Sequence, residues 1–168
     1  MTIQIAVCGP RDCTEAEAAA ARRVGELLAE QQVVVICGGG TGVMAAVAAG
    51  ARARGGLVIG IRPNDSRDGA SPDLSATIVT DMGEARNAII VQSADAVISV
   101  GGSWGTLSEL ALALRRGGIP VVSLGGWRVT QADGTPVPGI HHTDTPEAAV
   151  DHALRLTPTA PSTAPKQH

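Results

Sequence analysis

The residues of this sequence best suited to chemistry on a small charged molecule are a glutamate and an arginine. Glu109 lies in the first turn of a predicted helix, three residues after Thr106. A carboxylate there can stabilise a developing cation, bind sugar hydroxyls or orient a water molecule, or it can only complement the helix dipole. Arg86 follows another predicted strand. It can clamp a phosphate with two parallel N–H donors, pair with Glu109, or lie solvated on the surface.

A glycine-rich loop precedes Glu109 and is suited to binding an anion. It reads Gly101-Gly102-Ser103-Trp104-Gly105-Thr106 and joins an apolar strand to the helix. The free N–H groups and the dipole of a helix start attract negative charge, and glycines let a phosphate approach the backbone. The Ser103 and Thr106 hydroxyls can add donors, and Trp104 can stack on a base or fill a dimer groove. The same residues would also make an ordinary tight turn with hydroxyl caps.

A second glycine loop follows an earlier strand and has the same composition. It reads Gly38-Gly39-Gly40-Thr41-Gly42-Val43-Met44. Two such loops can face each other across one cleft, with one taking a phosphate and the other a sugar or a base. The spacing Gly40-x-Gly42-x-x-Ala45 also fits a relaxed dinucleotide fingerprint, which leaves an NAD site as a third, weaker interpretation. After the first strand, Gly9 and Arg11 are further candidates for the phosphate, although Arg11 can equally be a surface residue.

The charge and the lysine content exclude several classes of function. The formal net charge is −3 and the arginines are dispersed, so we expect no nucleic-acid partner. The only lysine is Lys166, which leaves no P-loop and no plausible Schiff-base lysine. No run approaches ~20 apolar residues, so we expect no membrane span.

The cysteines and histidines give weak signals for metal or redox chemistry. Cys8, Cys13 and Cys37 form an odd, sparse set, which favours a reducing, cytoplasmic location over a disulfide framework. Cys8-x4-Cys13 lacks a second ligand pair, so we expect no zinc site. His141 and His142 fall in a predicted late loop with no nucleophile nearby. We therefore expect no metal and no resident cofactor.

Short apolar runs alternate with helical patterns, which predicts an α/β fold with a mostly parallel sheet of about six or seven strands, covered by helices on both faces. The predicted strands are Ile3–Cys8, Val33–Cys37, Leu57–Ile61, Ala76–Thr80, Ala96–Val100 and Pro120–Leu124. The predicted helices are Thr14–Gln31, Gly42–Arg54, Met82–Ser93, Gly105–Arg116 and one from Thr145 to about Leu156. Residues 1–156 are expected to form a single domain and residues 157–168 a disordered tail. Ligands of such sheets bind beyond the carboxyl ends of the strands.

These two loops together resemble the Lonely Guy (LOG) superfamily, whose members are often mislabelled lysine decarboxylases. Its PGGxGTxxE motif matches Gly101 to Glu109 in spacing, with Gly101 in place of the proline and Ser103 in place of a glycine. Its upstream glycine loop resembles Gly38 to Met44. Its arginine matches Arg86, but Asn87 takes the place of the lysine that usually follows. The chain is most similar to the short branch that includes molybdenum-cofactor carrier proteins.

The resemblance implies a Rossmann-like three-layer αβα homodimer with a nucleotide- or pterin-type ligand at the carboxyl edge of the sheet. In LOG enzymes the activity is hydrolysis of a nucleoside 5′-monophosphate to a free base and ribose 5-phosphate, with Glu109 and Arg86 in the catalytic positions here. In the carrier branch the implied role is binding a pterin-based cofactor without turnover. Asn87 has donors but no charge, which argues mildly against hydrolysis. We expect the hydrolase first and the carrier as its alternative.

Overall fold

The computed structural model describes residues 2–157, which fold into a seven-stranded, fully parallel sheet with α-helices on both faces. The strands are β1 (Gln4–Cys8), β2 (Val34–Cys37), β3 (Val58–Arg62), β4 (Ala76–Val79), β5 (Ala96–Val100), β6 (Val121–Leu124) and β7 (His141–Thr143). The helices are α1 (Glu15–Glu30), α2 (Val43–Ala53), α3 (Asn87–Gln92), α4 (Trp104–Arg116) and α5 (Pro146–Arg155). The predicted α/β fold is confirmed.

The strand order creates one crevice at the carboxyl edge of the sheet. The order is β4-β3-β2-β1-β5-β6-β7, so the chain runs outward from β1 in one direction and from β5 in the other. The connections that leave β1 and β5 therefore turn to opposite sides of the sheet and leave a gap between them. Both glycine-rich loops and the segment before α3 lie at this edge.

The core consists of small aliphatic side chains on both faces of the sheet. One cluster joins the sheet to α1, α2 and α5, and the other joins it to α3 and α4. β5 is buried along its whole length, as its mostly apolar sequence predicts. No phenylalanine or tyrosine is available to this core, so its packing depends on close approach of the backbones.

The spacing Thr14-x-x-Glu17 at the start of the predicted helix Thr14–Gln31 predicts a capping box, and the structure contains one. Thr14 is the N-cap, and its hydroxyl accepts from the Glu17 amide at 3.2 Å. The Glu17 carboxylate in turn accepts from the Thr14 amide at 2.8 Å. This reciprocal pair is a capping box, and its local origin explains why the sequence alone predicts it.

Two predicted elements need correction. The helix expected over Met82–Ser93 is instead a 3-10 turn, Gly83–Arg86, followed by the short helix α3. Gly83 has a φ of +55°, which a regular α-helix does not accommodate. His141 and His142, expected in a loop, lie on the edge strand β7 beside β6. Their polar side chains hide the strand pattern, and pairing with β6 decides the conformation.

The described region ends at Thr157, within the tail that the sequence predicts to begin there. Residues 158–168 of the predicted tail lie outside the described residues, whereas the Thr157 hydroxyl donates to the Leu154 carbonyl oxygen at 2.8 Å. Within residues 2–157, no helix is long and apolar enough to cross a membrane.

Glycines set the distance between α1 and α2. A Cβ at Gly50 would collide with the backbone carbonyl oxygen of Arg22, and a Cβ at Gly25 would collide with that of Val47. The two helices therefore touch backbone to backbone, each supplying one glycine at the contact.

We predict that Gly50→Ala destabilises the protein, by about 1–3 kcal/mol, because its methyl group meets fixed backbone of α1. Helix propensity alone predicts the opposite sign, a gain of about 1 kcal/mol. The free energy of unfolding in urea measures the difference. Gly105→Ala is the matched control, since a Cβ there has only the Ser103 hydroxyl oxygen nearby, at 3.8 Å. Equal effects of the two substitutions would refute the packing explanation.

Candidate functional site

A pocket of about 160 Å³ opens where the strand order reverses. We call it the Arg86 pocket. It is lined by Cys8, Gly9, Arg11, Gly38, Met44, Glu84, Arg86, Asn87, Ser103, Gly105, Thr106 and Glu109. These residues follow β1 and β2, precede or begin α3, or begin α4. The parallel sheet thus brings together four distant parts of the sequence at one edge.

The pocket contains many of the residues that the sequence nominates, but not all of them. Among its lining residues, only Cys8 and Glu84 are absent from the sequence-based set. The candidates that do not line it are Gly39, Gly40, Thr41, Gly42, Gly101, Gly102 and Trp104. The spacing of Glu84 is a signal that could have identified it. Glu84 lies three residues before Asn87, and residues three apart in a helical turn lie on the same face.

Arg86 is the unusual residue of the pocket. Its side chain is only 7% exposed, and its buried Nε and Nη1 atoms have no hydrogen-bond partner within residues 2–157. It forms no ion pair with Glu109 or any other carboxylate among residues 2–157. Gly38 makes room for it, since a Cβ there would lie 2.9 Å from Nη2. A buried guanidinium with unused donors is costly unless an anion completes it.

Glu109 is the sixth residue of α4, which begins at Trp104, so it lies in the second turn and not in the first turn, where the sequence predicts it. Its side chain is 7% exposed. Burial raises the pKa of Glu109 to about 7, and the nearby Arg86 charge and the Cys8 thiol oppose this rise. The carboxyl group is therefore divided between its neutral and ionised forms near neutral pH. It can donate or accept a proton there, and when neutral it can donate a hydrogen bond.

The start of α4 is partly capped and partly free. The Ser103 hydroxyl accepts from the Thr106 amide at 3.2 Å and lies 2.9 Å from the Thr106 hydroxyl. The amides of Trp104 and Gly105 donate to no protein group within the described residues. The expectation of bare amides at this helix start thus holds for two positions, whereas the amide of Thr106 is occupied by the cap.

The second glycine loop is used differently from the first. The start of α2 is occupied by protein, because the Val43 amide donates to the Pro10 carbonyl oxygen at 3.1 Å. Gly42, with a φ of +63°, packs so closely that a Cβ would collide with the carbonyl oxygens of Pro10 and Arg11. This loop therefore brings Gly38 and Met44 to the pocket while its helix start supports the loop after β1.

Asn87 ties α3 to α4 at the rim of the pocket. Its Nδ2 atom donates to the Ser108 hydroxyl at 3.0 Å and to Glu84 Oε2 at 3.3 Å. Its Oδ1 atom is buried and has no partner. With the amide donors already engaged, the free polar atom of Asn87 is an acceptor.

The three cysteines are free thiols. Burial raises the pKa of Cys8 well above its ordinary value, and the neighbouring Glu109 raises it further. Burial also raises the pKa of Cys37, to about 11. Both side chains are therefore neutral packing groups rather than nucleophiles. Within residues 2–157, no three His, Cys, Asp or Glu side chains are grouped to hold a metal ion.

The family model for the SLOG cluster4 family matches residues 2–150. The chain belongs to the SLOG cluster4 family. An uncharacterised protein of Archaeoglobus fulgidus is 45% identical to this SLOG protein over 152 residues, which cover 90% of this chain and 95% of that one.

Two solved structures show the same fold. The molybdenum cofactor binding protein of the phototrophic bacterium Rippkaea orientalis matches this SLOG protein with a TM-score of 0.80 and 32% identity, covering 90% of this chain and 94% of that one. The molybdenum cofactor carrier protein of Chlamydomonas reinhardtii matches with a TM-score of 0.77 and 28% identity, covering 93% and 98%. The resemblance to the carrier branch is thus confirmed, whereas the homodimer stays a prediction.

We predict that Glu109 makes this SLOG protein less stable as the pH rises. The pKa of Glu109 is about 7 in the folded protein against an ordinary 4.5, so between these pH values the folded state binds more protons. The free energy of unfolding should fall across this window, by up to roughly 3 kcal/mol from this group. Urea unfolding at pH 4.5 and pH 8 measures the fall.

The Glu109→Gln variant should lack this part of the pH dependence, because the amide does not titrate. Glu15→Gln, on the exposed first turn of α1, controls for the loss of a carboxylate. A Glu109→Gln variant whose stability falls with pH as steeply as the wild type would contradict the assignment.

Proposed function

We propose that this SLOG protein binds a phosphate-bearing, pterin-type or nucleotide-like small molecule in the Arg86 pocket and does not turn it over. The observation that carries the proposal is the buried, unpartnered guanidinium of Arg86. The likeness to proteins described as molybdenum cofactor binding and carrier proteins supports a pterin-type ligand.

The phosphate group binds between Arg86 and the start of α4. Arg86 lines the pocket and supplies a positive charge with N–H donors that no protein group within residues 2–157 uses. The free amides of Trp104 and Gly105 add neutral donors and the positive end of the helix dipole. Neutral Glu109 can donate to a phosphate oxygen, whereas ionised Glu109 repels it. This arrangement favours binding below the pKa of Glu109.

The ring system of the ligand binds against the two tryptophans. Trp104 directly precedes the pocket residue Gly105 and is 77% exposed, and Trp127 is 43% exposed. Their ring centroids are 5.1 Å apart at an angle of 83°, which makes an open aromatic corner. Trp127 is held in place against Gly102, where a Cβ would be 2.7 Å from its Cγ. A planar ring stacked on Trp104 would remove exposed indole surface from water.

Calorimetric titration with AMP and with ribose 5-phosphate separates phosphate binding in the Arg86 pocket from ring binding at Trp104. Arg86→Ala should weaken both ligands by about tenfold to a hundredfold, because charge-assisted hydrogen bonds contribute about 1.5–3 kcal/mol. Trp104→Ala should weaken AMP alone, since ribose 5-phosphate has no ring to stack. Arg115→Ala, at the far end of α4, is the control and should change neither affinity.

Thermal unfolding of the same variants distinguishes a binding residue from a structural one. Arg86→Ala should unfold at no lower temperature than the wild type, because the buried Nε and Nη1 atoms give up no hydrogen bond. Unchanged affinity of Arg86→Ala for both ligands would refute the phosphate site.

A second candidate function is hydrolysis of a nucleoside 5′-monophosphate, which the position of Glu109 beside Arg86 in one pocket favours. An ionised Glu109 could stabilise an oxocarbenium-like transition state while Arg86 holds the phosphate. Incubation with AMP at pH 8, where Glu109 is ionised, followed by chromatography of the free base, tests it. We expect no adenine release. Release that Glu109→Gln abolishes would instead assign the protein to the hydrolases.

A further inference from the structure

A second buried arginine lies beside the Arg86 pocket. Arg62 ends β3 and is only 7% exposed. Its Nη1 atom donates to the Gly39 carbonyl oxygen at 3.3 Å, and its Nη2 atom donates to the Asp68 carbonyl oxygen at 2.9 Å. Its buried Nε atom has no partner. Arg62 therefore links the glycine loop after β2 to the connection between β3 and β4.

The contacts of Arg62 fix the path of the glycine loop. The Gly39 carbonyl oxygen also accepts from the Ser71 amide at 3.0 Å, so two donors hold one peptide group. A Cβ at Gly40 would lie 3.3 Å from Arg62 Nη1, which shows how closely the guanidinium lies against the loop. The adjoining residue Gly38 lines the Arg86 pocket. Holding Gly39 thus positions the backbone beneath Arg86.

Within residues 2–157, no carboxylate forms an ion pair with Arg62. Both partners of its guanidinium are neutral carbonyl groups. Burial lowers the pKa of Arg62, and the positive charges of Arg86 and Arg11 lower it further. Three guanidinium groups therefore repel one another across this edge of a protein whose net charge is −3.

We propose that Arg62 is a positioning residue of the Arg86 pocket that holds the glycine loop and adds a positive charge that strengthens the binding of a multiply charged phosphate. The inference rests on the proposed function of this pocket. Carbonyl contacts alone could be made by a neutral donor. A buried positive charge near two others becomes favourable when a phosphate dianion or a diphosphate neutralises it.

Two substitutions separate the charge of Arg62 from its hydrogen bonds. Arg62→Lys keeps the charge and loses the two-pronged geometry, whereas Arg62→Gln keeps an N–H donor and loses the charge. Arg67→Gln removes an exposed arginine of the same connection and is the matched control. Affinities for inorganic pyrophosphate and for AMP are measured by calorimetry at low and high salt, with thermal unfolding of each variant alongside.

We expect Arg62→Gln to weaken pyrophosphate by about tenfold or more and to reduce the salt dependence of binding, because one charge has left the site. Arg62→Lys should keep most of the affinity, and Arg67→Gln should match the wild type. If Arg62 had only a structural role, both Arg62 variants would lose the same affinity for pyrophosphate, and the salt dependence of binding would not change. That result would overturn the proposal. Wild-type affinity in Arg62→Gln would overturn it as well.

The failure of this inference can be told apart from the failure of the proposed function. If the wild type binds neither AMP nor pyrophosphate, the phosphate pocket itself is refuted and the inference falls with it. If Arg86→Ala loses binding while Arg62→Gln retains it, the pocket stands and only the role of Arg62 is refuted.

Discussion

Positive charge buried without a carboxylate partner is the constraint around which this edge of the protein is built. Arg86 and Arg62 are both 7% exposed, and both keep buried N–H donors unused. Transfer of a charged group from water into a protein costs several kcal/mol, which a fold recovers through an opposite charge or a full set of hydrogen bonds. Arg86 has neither among the described residues, so an anion bound beside it would offset the cost of its burial.

The parallel sheet makes this arrangement possible. The crevice between the connections that leave β1 and β5 lets four parts of the chain meet without crossing the core. Glycines permit the approach, because Gly38 leaves space for the Arg86 guanidinium and Gly42 leaves space for the carbonyl groups of the loop after β1. The rigid core of aliphatic side chains on both faces of the sheet then holds these loops at fixed distances.

Glu109 gives the site its dependence on pH. A carboxyl group with a pKa of about 7 beside a guanidinium can be a neutral donor to phosphate or an ionised group beside a sugar. The same side chain thus fits a carrier in its neutral form and a hydrolase in its ionised form. The chain belongs to the SLOG cluster4 family, and its fold is similar to that of proteins described as molybdenum cofactor binding and carrier proteins.

The sequence by itself determined the features that depend on neighbouring residues. Alternating apolar runs and amphipathic helices predict the α/β sheet, and Thr14 and Glu17 predict their capping box, because these signals act within a few residues. The motif spacing also identified Arg86 and Glu109 as candidate site residues. Only the tertiary structure decided which glycine loop leaves its helix start free, that β7 pairs with β6, and that Arg62 supports the pocket. These outcomes depend on contacts between residues far apart in the chain, such as Val43 with Pro10. They cannot be predicted from local sequence, because local sequence does not determine which distant residues meet.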